Sequence, residues 1–306
     1  MRYGVPYRGS KNKIADWVVD HLPDGKTLVD LFAGGCAVTH AAILAGRWEN
    51  FIINDLGDAP EVFENAVNGK YANEKRWISR EDFYKLKDSD PYVRYCWSFG
   101  NNGRDYLYAK KVEPWKKALH YARFFGDTSL LRNMKIEGDG SSANVLAHEA
   151  EYKEKYIRWW LAHQKYSQAE FDELYRPRQS LERLQSLERL QRLQSLERLQ
   201  LDYRNVEISQ GAVVYADPPY KNTGCTGYAG QFDYDAFEKW LADVPFMVIV
   251  SEYNAPKGCT EIASIKKQRA MGTGNKGGAN TEKLFVQDRF YERYKQAMNY
   301  QIEIDA

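Results

Sequence analysis

The stretch KTLVDLFAGG, residues 26–35, decides the fold. Its apolar residues predict a short buried strand, which ends in a turn at Gly34 and Gly35. An alanine-rich segment over residues 37–45 has helical character, and Gly46 is placed to end that helix. The sequence therefore predicts a strand, a glycine turn and a helix in immediate succession.

A second apolar run, residues 51–53, ends at Asn54 and Asp55. Strand, glycine turn, helix and strand together form a βαβ unit of a parallel sheet. The same alternation returns late in the chain. It comprises a strand at 213–216, a helix at 235–243, a strand at 246–250 and one arm of a terminal hairpin at 282–287. We expect an α/β fold with a Rossmann-like, mostly parallel sheet and a terminal antiparallel hairpin.

The sheet-forming residues fall into two sequence blocks, 1–85 and 201–306, which predict one discontinuous domain. The intervening residues 86–200 are rich in Tyr, Trp, Arg and Lys, and we interpret them as an inserted, mainly helical domain. Helices are predicted within it at about 143–166 and 168–174, the second beginning at a Ser-x-x-Glu capping box.

A tandem repeat ends this insertion: residues 180–200 read SLERLQ SLERLQ RLQ SLERLQ. Its leucines recur every third residue, so on a helix of 3.6 residues per turn they spiral around the axis. That spacing argues against a simple coiled coil, which needs an average of 3.5. Because the residue types favour helix, we predict a leucine-rich spacer helix over the repeat.

The composition is that of a globular protein of 306 residues, with 43% hydrophobic and 28% charged residues. No apolar run approaches the ~18 residues of a membrane span, and the first residues lack the apolar run of a signal peptide. We expect no membrane association and a cytoplasmic location. Four scattered cysteines lack the spacing of a zinc site or a disulfide framework, and no metal is expected.

The sequence Asp217-Pro218-Pro219-Tyr220 follows a predicted strand directly. The exocyclic amine of a nucleobase, such as adenine N6, is a poor nucleophile because its lone pair is delocalised into the ring. Two hydrogen-bond acceptors can free that lone pair, and the Asp217 carboxylate and the Pro218 carbonyl supply them. The two prolines fix the direction of the carbonyl, and Tyr220 offers a ring for a flipped-out base. These four residues are the predicted catalytic set.

The glycine turn at the end of the first strand predicts a binding site for a nucleoside or an amino-acid group, because glycines allow close backbone approach. Ligands of open α/β sheets sit at the carboxyl ends of the strands. Asp55, at the end of the second strand, is placed to accept hydrogen bonds from ribose hydroxyls. The turn lacks the full glycine spacing of a dinucleotide phosphate loop.

These motifs, in this order, resemble those of the Dam-like, α-class adenine-N6 DNA methyltransferases. Residues 7–11 resemble the family's N-terminal methionine-pocket motif, residues 201–203 resemble the segment around the adenine of the cofactor, and VVYADPPY at 213–220 matches the catalytic motif. The resemblance implies S-adenosylmethionine as cofactor and a methyltransferase-type sheet. The implied cofactor residues are Tyr7, Arg8, Gly9, Lys11, Asp30, Phe32, Ala33, Gly34, Gly35, Asn54, Asp55, Asp202 and Tyr203.

The resemblance extends to DNA recognition and implies that the insertion is a target-recognition domain. Residues 99–103, FGNNG, resemble a loop that enters the duplex beside the flipped base, although asparagine stands where that loop often has an aromatic residue. Basic residues near the end of the chain resemble phosphate contacts, which position a protein without specifying sequence. The candidate DNA contacts are Asn101, Asn102, Arg104, Lys266, Lys267, Arg269 and Lys276.

The predicted reaction is transfer of a methyl group to the N6 amine of an adenine flipped out of duplex DNA. Three alternatives stay open: an N4-cytosine methyltransferase, an RNA adenine methyltransferase, and a non-catalytic DNA-binding module that keeps the cofactor fold. Double-stranded DNA is the expected partner, and a cognate restriction enzyme is a further candidate. The recognition sequence and the oligomeric state do not follow from the sequence.

Overall fold

The computed structural model of the chain describes residues 3–127, 129–130, 184–187, 190, 195–220, 232–266 and 281–305. The chain divides into two compact units. The first consists of residues 1–5, 9–68 and 189–306, and the second of residues 6–8 and 69–188. The boundaries thus fall near 69 and 188, where the sequence suggested 86 and 200. The predicted helices at 143–166 and 168–174 lie outside the described residues.

Most elements alternate between helix and strand, as the sequence predicts. Those within residues 3–127 are α1 (Ala15–Asp20), β1 (Thr27–Asp30), α2 (Ala37–Ala45), β2 (Asn50–Asn54), α3 (Ala59–Val67), α4 (Arg80–Leu86), α5 (Pro91–Cys96) and α6 (Glu113–Phe125). Those within residues 195–305 are β3 (Ser195–Leu199), β4 (Val213–Ala216), α7 (Tyr234–Asp243), β5 (Val248–Glu252), β6 (Cys259–Lys266), β7 (Thr281–Gln287) and α8 (Tyr291–Asp305). The strands and helices predicted at the two ends of the chain are therefore confirmed.

One seven-stranded sheet organises the first unit, in the order β3-β2-β1-β4-β5-β7-β6. The first five strands in that order run parallel, while β7 pairs antiparallel with both β5 and β6. The prediction of a mostly parallel sheet with a terminal antiparallel hairpin is confirmed.

The central strands are buried along their length, as expected of a parallel sheet that is covered on both faces. Every residue of β4 and β5 is buried, and three of the four residues of β1 are buried. Phe237 and Leu241 of α7 pack on one face of this sheet. The cluster includes Val29, Leu31, Val214, Val248 and Val250.

The predicted leucine-rich helix over 180–200 is wrong for its last repeat, because residues 195–199 form β3 at the sheet edge. This strand pairs residue by residue with β2, and Arg198 donates to Glu64 of α3 at 2.7 Å. Residues 184–187, from the earlier copies, are helical. The unpaired edge of β2 offers the last copy a ladder of backbone hydrogen bonds, which outweighs its helix propensity.

The second unit is held together by aromatic side chains around Trp77. The ring of Tyr108 stacks on Trp77 with centroids 5.8 Å apart and planes at 3°, and Trp97 meets it edge-on at 5.3 Å. The side chains of Ser79 and Asp90 accept backbone N–H groups at the starts of α4 and α5.

No helix among the described residues is long and apolar enough to cross a bilayer.

Candidate active site

The site lies where the sheet changes the direction of its connections. From β1 the chain continues to β2 and β3 on one side, and from β4 it continues to β5 on the other. In open α/β sheets such a switch point forms a ligand crevice at the carboxyl ends of the strands. Asp30 ends β1, and Asp217 directly follows the adjacent strand β4. The fold thus brings two acids from distant parts of the sequence to the same edge.

Asp217 is engaged by a lysine from the N-terminal segment. The ammonium nitrogen of Lys11 lies 2.5 Å and 2.6 Å from the two carboxylate oxygens of Asp217. The Lys11 side chain is only 6% exposed, and its ammonium lies 4.5 Å from the centroid of the Tyr220 ring. The sequence placed Lys11 among the cofactor residues, whereas the structure bonds it to the predicted catalytic acid.

A second carboxylate, Glu282 of β7, completes this group. It is fully buried and lies 3.3 Å from the Lys11 ammonium. The Tyr220 hydroxyl donates a hydrogen bond to Glu282, and the Ser251 hydroxyl of β5 donates to it at 3.2 Å. We call Lys11, Asp217, Tyr220, Ser251 and Glu282 the acceptor cluster.

Burial and charge oppose each other at Lys11. Burial alone lowers the pKa of its ammonium, but the charges of Asp217 and Glu282 outweigh that effect and raise the pKa above its ordinary value. Burial raises the pKa of the Asp217 carboxyl, Lys11 lowers it, and Glu282 raises it, with a net rise. The carboxylate thus favours the charged ammonium, and the ammonium favours the ionised carboxyl.

Asp30 is buried with one oxygen bonded and one free. The Thr39 hydroxyl donates to Oδ2 at 2.8 Å, and Oδ1 is buried without a hydrogen-bond partner. Burial, only partly opposed by Thr39, raises the pKa of this carboxyl to about 7. An unpaired buried oxygen of this kind fits a cationic or hydrogen-bond-donating ligand.

Asp55 fixes the glycine turn that follows β1. Its two carboxylate oxygens accept the backbone N–H groups of Gly34 at 2.9 Å and Gly57 at 2.7 Å. The N-terminal segment packs closely on this turn. A Cβ atom on Gly4 would lie only 2.1 Å from the Gly35 carbonyl oxygen. The turn is thus packed from the N-terminal side and tied to the end of β2.

Asn54, a predicted cofactor residue, forms hydrogen bonds to two other segments of the chain. Its side chain is 1% exposed and donates to the carbonyls of Leu31 at 3.1 Å and Leu201 at 3.0 Å. It also accepts the N–H of Leu201 at 2.9 Å. These three bonds engage both N–H groups and the oxygen of the amide, so Asn54 fixes the segment at 201–203 beside the end of β1.

Aromatic side chains line the region beside that segment. The ring of Phe32 lies 5.3 Å from that of Tyr203 and 5.7 Å from that of Phe232. Tyr203 is 7% exposed and belongs to the core under α7. The carboxylate of Asp202, one of the implied cofactor residues, forms an ion pair with Arg204 at 2.7 Å. The hydrogen bond from the Arg204 side chain lowers the pKa of Asp202.

Tyr7 and Arg8 group with the second unit, while Gly9 and Lys11 group with the first. Within its unit, the Tyr7 ring lies 5.6 Å from that of Tyr95. Gly9 is exposed, with a φ of +85° and open space where a side chain would be. Ala33 is buried at the start of the glycine turn.

In the loop at residues 99–103, the predicted DNA contacts Asn101 and Asn102 form hydrogen bonds within the chain. The Asn101 side-chain amide donates to the Tyr95 backbone carbonyl at 2.8 Å, and the side-chain oxygen Oδ1 of Asn102 accepts the N–H groups of residues 104 and 105. Both asparagines therefore hold the shape of the loop. Phe99 is 63% exposed, and Arg104 is also exposed. The sequence missed Phe99 as a candidate DNA contact.

The basic candidates near the end of the chain are described only in part. Lys266 is exposed at the end of β6. Lys267, Arg269 and Lys276 lie outside the described residues, so their part in DNA binding stays a prediction.

Three residues of the site, Glu282, Ser251 and Tyr253, were not predicted from the sequence. The Tyr253 ring meets that of Tyr220 edge-on, with centroids 4.5 Å apart. A signal for Glu282 existed in the sequence. Alternation along a strand places it on the same face as Leu284 and Val286, and all three are buried. An acid on the buried face of a strand indicates a partner inside the protein.

The comparisons with known proteins find a family match within the first part of the chain. Residues 7–119 match the D12 class of N6 adenine-specific DNA methyltransferases. The family resemblance inferred from the motifs is therefore confirmed, and it implies a methyl donor. Both the glycine turn and the FGNNG loop fall within the matched residues.

A curated relative, the Type II methyltransferase M2.HphI of Haemophilus parahaemolyticus, is 42% identical over 53 residues. These residues are 17% of this chain, and they span about 15% of the length of that relative. Among solved structures, the rRNA methyltransferase aviRa from Streptomyces viridochromogenes aligns with a TM-score of 0.38 at 13% identity. That alignment covers 92% of this chain and 84% of the other.

Proposed function

We propose that this chain is a DNA adenine-N6 methyltransferase that uses S-adenosylmethionine. The observation that carries the proposal is the Asp217-Pro218-Pro219-Tyr220 segment at the switch point of the sheet, with its acid in a buried charged cluster. The family match over residues 7–119 supports adenine N6 as the target.

The residues at the end of β1 fit the donor. The unpaired buried oxygen of Asp30 suits the ammonium of the methionine group, because a nearby cation would hold that carboxyl ionised. Phe32 and Tyr203 offer apolar surface for the adenine ring of the donor, and Asp55 keeps the glycine turn in place. When bound, S-adenosylmethionine supplies an electrophilic methyl group on a positively charged sulfur.

The residues at the end of β4 fit the acceptor. An adenine N6 amine carries two hydrogens, and we assign them to the Asp217 carboxylate and the Pro218 carbonyl as acceptors. Both oxygens of Asp217 are bonded to Lys11 in this structure, so the amine must displace Lys11 from one of them. The amine loses one proton as its nitrogen–carbon bond forms, and the Asp217 carboxylate is placed to take it.

The second unit is the proposed DNA-recognition part of the chain. Its exposed Phe99 and Arg104 offer an aromatic ring for a base and a cation for a phosphate. Duplex DNA is the proposed partner, and a cognate restriction enzyme is a further proposal suggested by the Type II relative.

The test is transfer of labelled methyl from S-adenosylmethionine to unmethylated duplex DNA, followed by digestion and identification of the labelled nucleoside. We expect N6-methyldeoxyadenosine from the wild type. Asp217→Asn keeps the size of the side chain but removes its charge, and we expect it to reduce kcat by about 100-fold or more. Asp243→Asn, at an exposed position at the end of α7, is the matched control and should keep full activity.

The product separates the alternatives. Label in N4-methylcytosine, or label in RNA but not in DNA, would replace the proposed substrate. DNA binding without transfer to either nucleic acid would favour the non-catalytic reading. Full activity in Asp217→Asn would contradict the assignment of the catalytic acid.

A further inference from the structure

Glu282 takes part neither in the proposed donor site nor directly in binding the target amine. We propose that it is a positioning residue of the acceptor cluster: it holds the Lys11 ammonium and the Tyr220 hydroxyl so that Asp217 can exchange Lys11 for the amine. This inference rests on the proposed function.

The terminal hairpin delivers Glu282 to the cluster from a rigid position. β7 is hydrogen-bonded on both sides, to β5 and to β6, and the Glu282 side chain is fully buried. The Ser251 hydroxyl on the neighbouring strand donates to Oε1 at 3.2 Å, and the same oxygen lies 3.3 Å from Lys11. A carboxylate held by a paired strand and a hydroxyl is a fixed point to which a flexible lysine can be bound.

Lys11 is shared unequally between the two acids. It bonds both oxygens of Asp217 at 2.5 Å and 2.6 Å and stands at 3.3 Å from Glu282. The target amine needs one of those two Asp217 oxygens. A small movement of the ammonium toward Glu282 would release an oxygen of Asp217 and keep Lys11 paired throughout.

Without Glu282 this exchange would be costly. A buried ammonium that leaves its only counter-ion remains uncompensated in a region of low dielectric. Glu282 supplies the second counter-ion, and it also fixes the Tyr220 hydroxyl, whose ring lies beside Lys11. Removing the charge of Glu282 should therefore bind Lys11 more exclusively to Asp217 and slow the entry of the amine.

The first measurement needs no turnover: titration of Lys11 by NMR with labelled lysine, in the wild type, Glu282→Gln and Glu282→Asp. The pKa of Lys11 should fall in Glu282→Gln, because one of the two carboxylates that raise it is gone. It should stay near the wild-type value in Glu282→Asp, which keeps the charge. The matched control is Glu261→Gln on β6, an exposed glutamate that pairs with Lys283 at 2.8 Å.

The second measurement is the pH dependence of kcat and of KM for DNA. We expect Glu282→Gln to lower kcat by about 10- to 100-fold with KM for DNA largely unchanged. The acid limb of the pH profile of kcat should move to lower pH in Glu282→Gln, because the charge of Glu282 contributes to the raised pKa of Asp217. Glu282→Asp should restore the position of that limb and part of kcat. The titratable groups that act on Asp217, or on which it acts, are Lys11, Glu282, Tyr215, Tyr220, Asp30 and Asp55.

The outcomes are distinct. An unchanged Lys11 pKa in Glu282→Gln overturns the inference. An equal loss of kcat in both Glu282 variants, with the acid limb of the pH profile unmoved, also overturns it, because that result indicates a purely structural role. A wild type that transfers no methyl group refutes the proposed function instead. In that case the Lys11 titration still decides whether Glu282 holds the ammonium.

Discussion

Replacing Asp30 with asparagine should make the ligand-free protein more stable at pH 8 and weaken its binding of S-adenosylmethionine. Asp30 is 2% exposed, and burial raises its pKa from an ordinary 3.8 to about 7. A raised pKa means that the folded state binds the proton more tightly than the unfolded state. Folding stability is therefore lost as the pH rises from about 4 to about 7.

The size of the effect follows from that difference in pKa. Keeping a group with a folded pKa of about 7 ionised at pH 8 costs about 4 kcal/mol relative to the unfolded chain. Asparagine avoids this cost and can still accept the Thr39 hydroxyl. Its amide places an unpaired N–H donor where the unpaired Oδ1 stood, which lowers the stability by about 1–3 kcal/mol. The net gain at pH 8 is thus about 1–3 kcal/mol.

Urea unfolding of both proteins between pH 5 and pH 8, without ligand, measures this directly. The free energy of unfolding of Asp30→Asn, relative to the wild type, should rise by about 2–3 kcal/mol across that range. Asp243→Asn should follow the wild type. Calorimetric titration with S-adenosylmethionine should show binding weakened by about 10- to 100-fold in Asp30→Asn, since a charged hydrogen bond is lost.

Two results would refute the reasoning. A relative stability that stays flat or falls between pH 5 and pH 8 would show that burial does not hold Asp30 protonated. Donor binding at wild-type strength in Asp30→Asn would show that its unpaired oxygen is not the contact for the methionine ammonium.

Three further predictions concern single side chains. Asn54→Ala removes three hydrogen bonds of one buried amide, and urea unfolding should show a loss of about 2–4 kcal/mol; a loss under 0.5 kcal/mol would contradict its structural role. Gly4→Ala places a Cβ 2.1 Å from a backbone oxygen at a φ of +66°. It should lower the melting temperature of the protein by more than Gly9→Ala, where the added Cβ meets open space. Equal melting temperatures would count against the packing of the glycine turn. Phe99→Ala should leave the free energy of unfolding unchanged, because the side chain is 63% exposed, and weaken DNA binding by about 5- to 100-fold, measured by fluorescence anisotropy at fixed salt.

The sheet was predictable because its strands are local apolar runs. The residues at 27–30, 50–54 and 213–216 are strands whose burial follows from their own composition. The order of the motifs was enough to place Asp30, Asp55 and Asp217 at one edge, since the carboxyl ends of parallel strands share an edge.

The repeat shows where this local reasoning fails. The same hexapeptide SLERLQ occurs three times, yet residues 184–187 are helical and residues 195–199 form β3. Local propensity is identical at equivalent positions of the copies and cannot separate them. The free edge of β2 and the Arg198–Glu64 ion pair act on the last copy alone.

The sequence by itself predicted the order of the elements and the Asp217-Pro218-Pro219-Tyr220 segment at the end of a strand, because each rests on residues close together in the chain. Only the tertiary structure decided the partners of those residues. Lys11 meets both Asp217 and Glu282 across separations of more than 200 residues along the chain, and Asn54 bonds to Leu201. Such contacts depend on how distant segments pack, and no pattern within a short stretch of sequence encodes them.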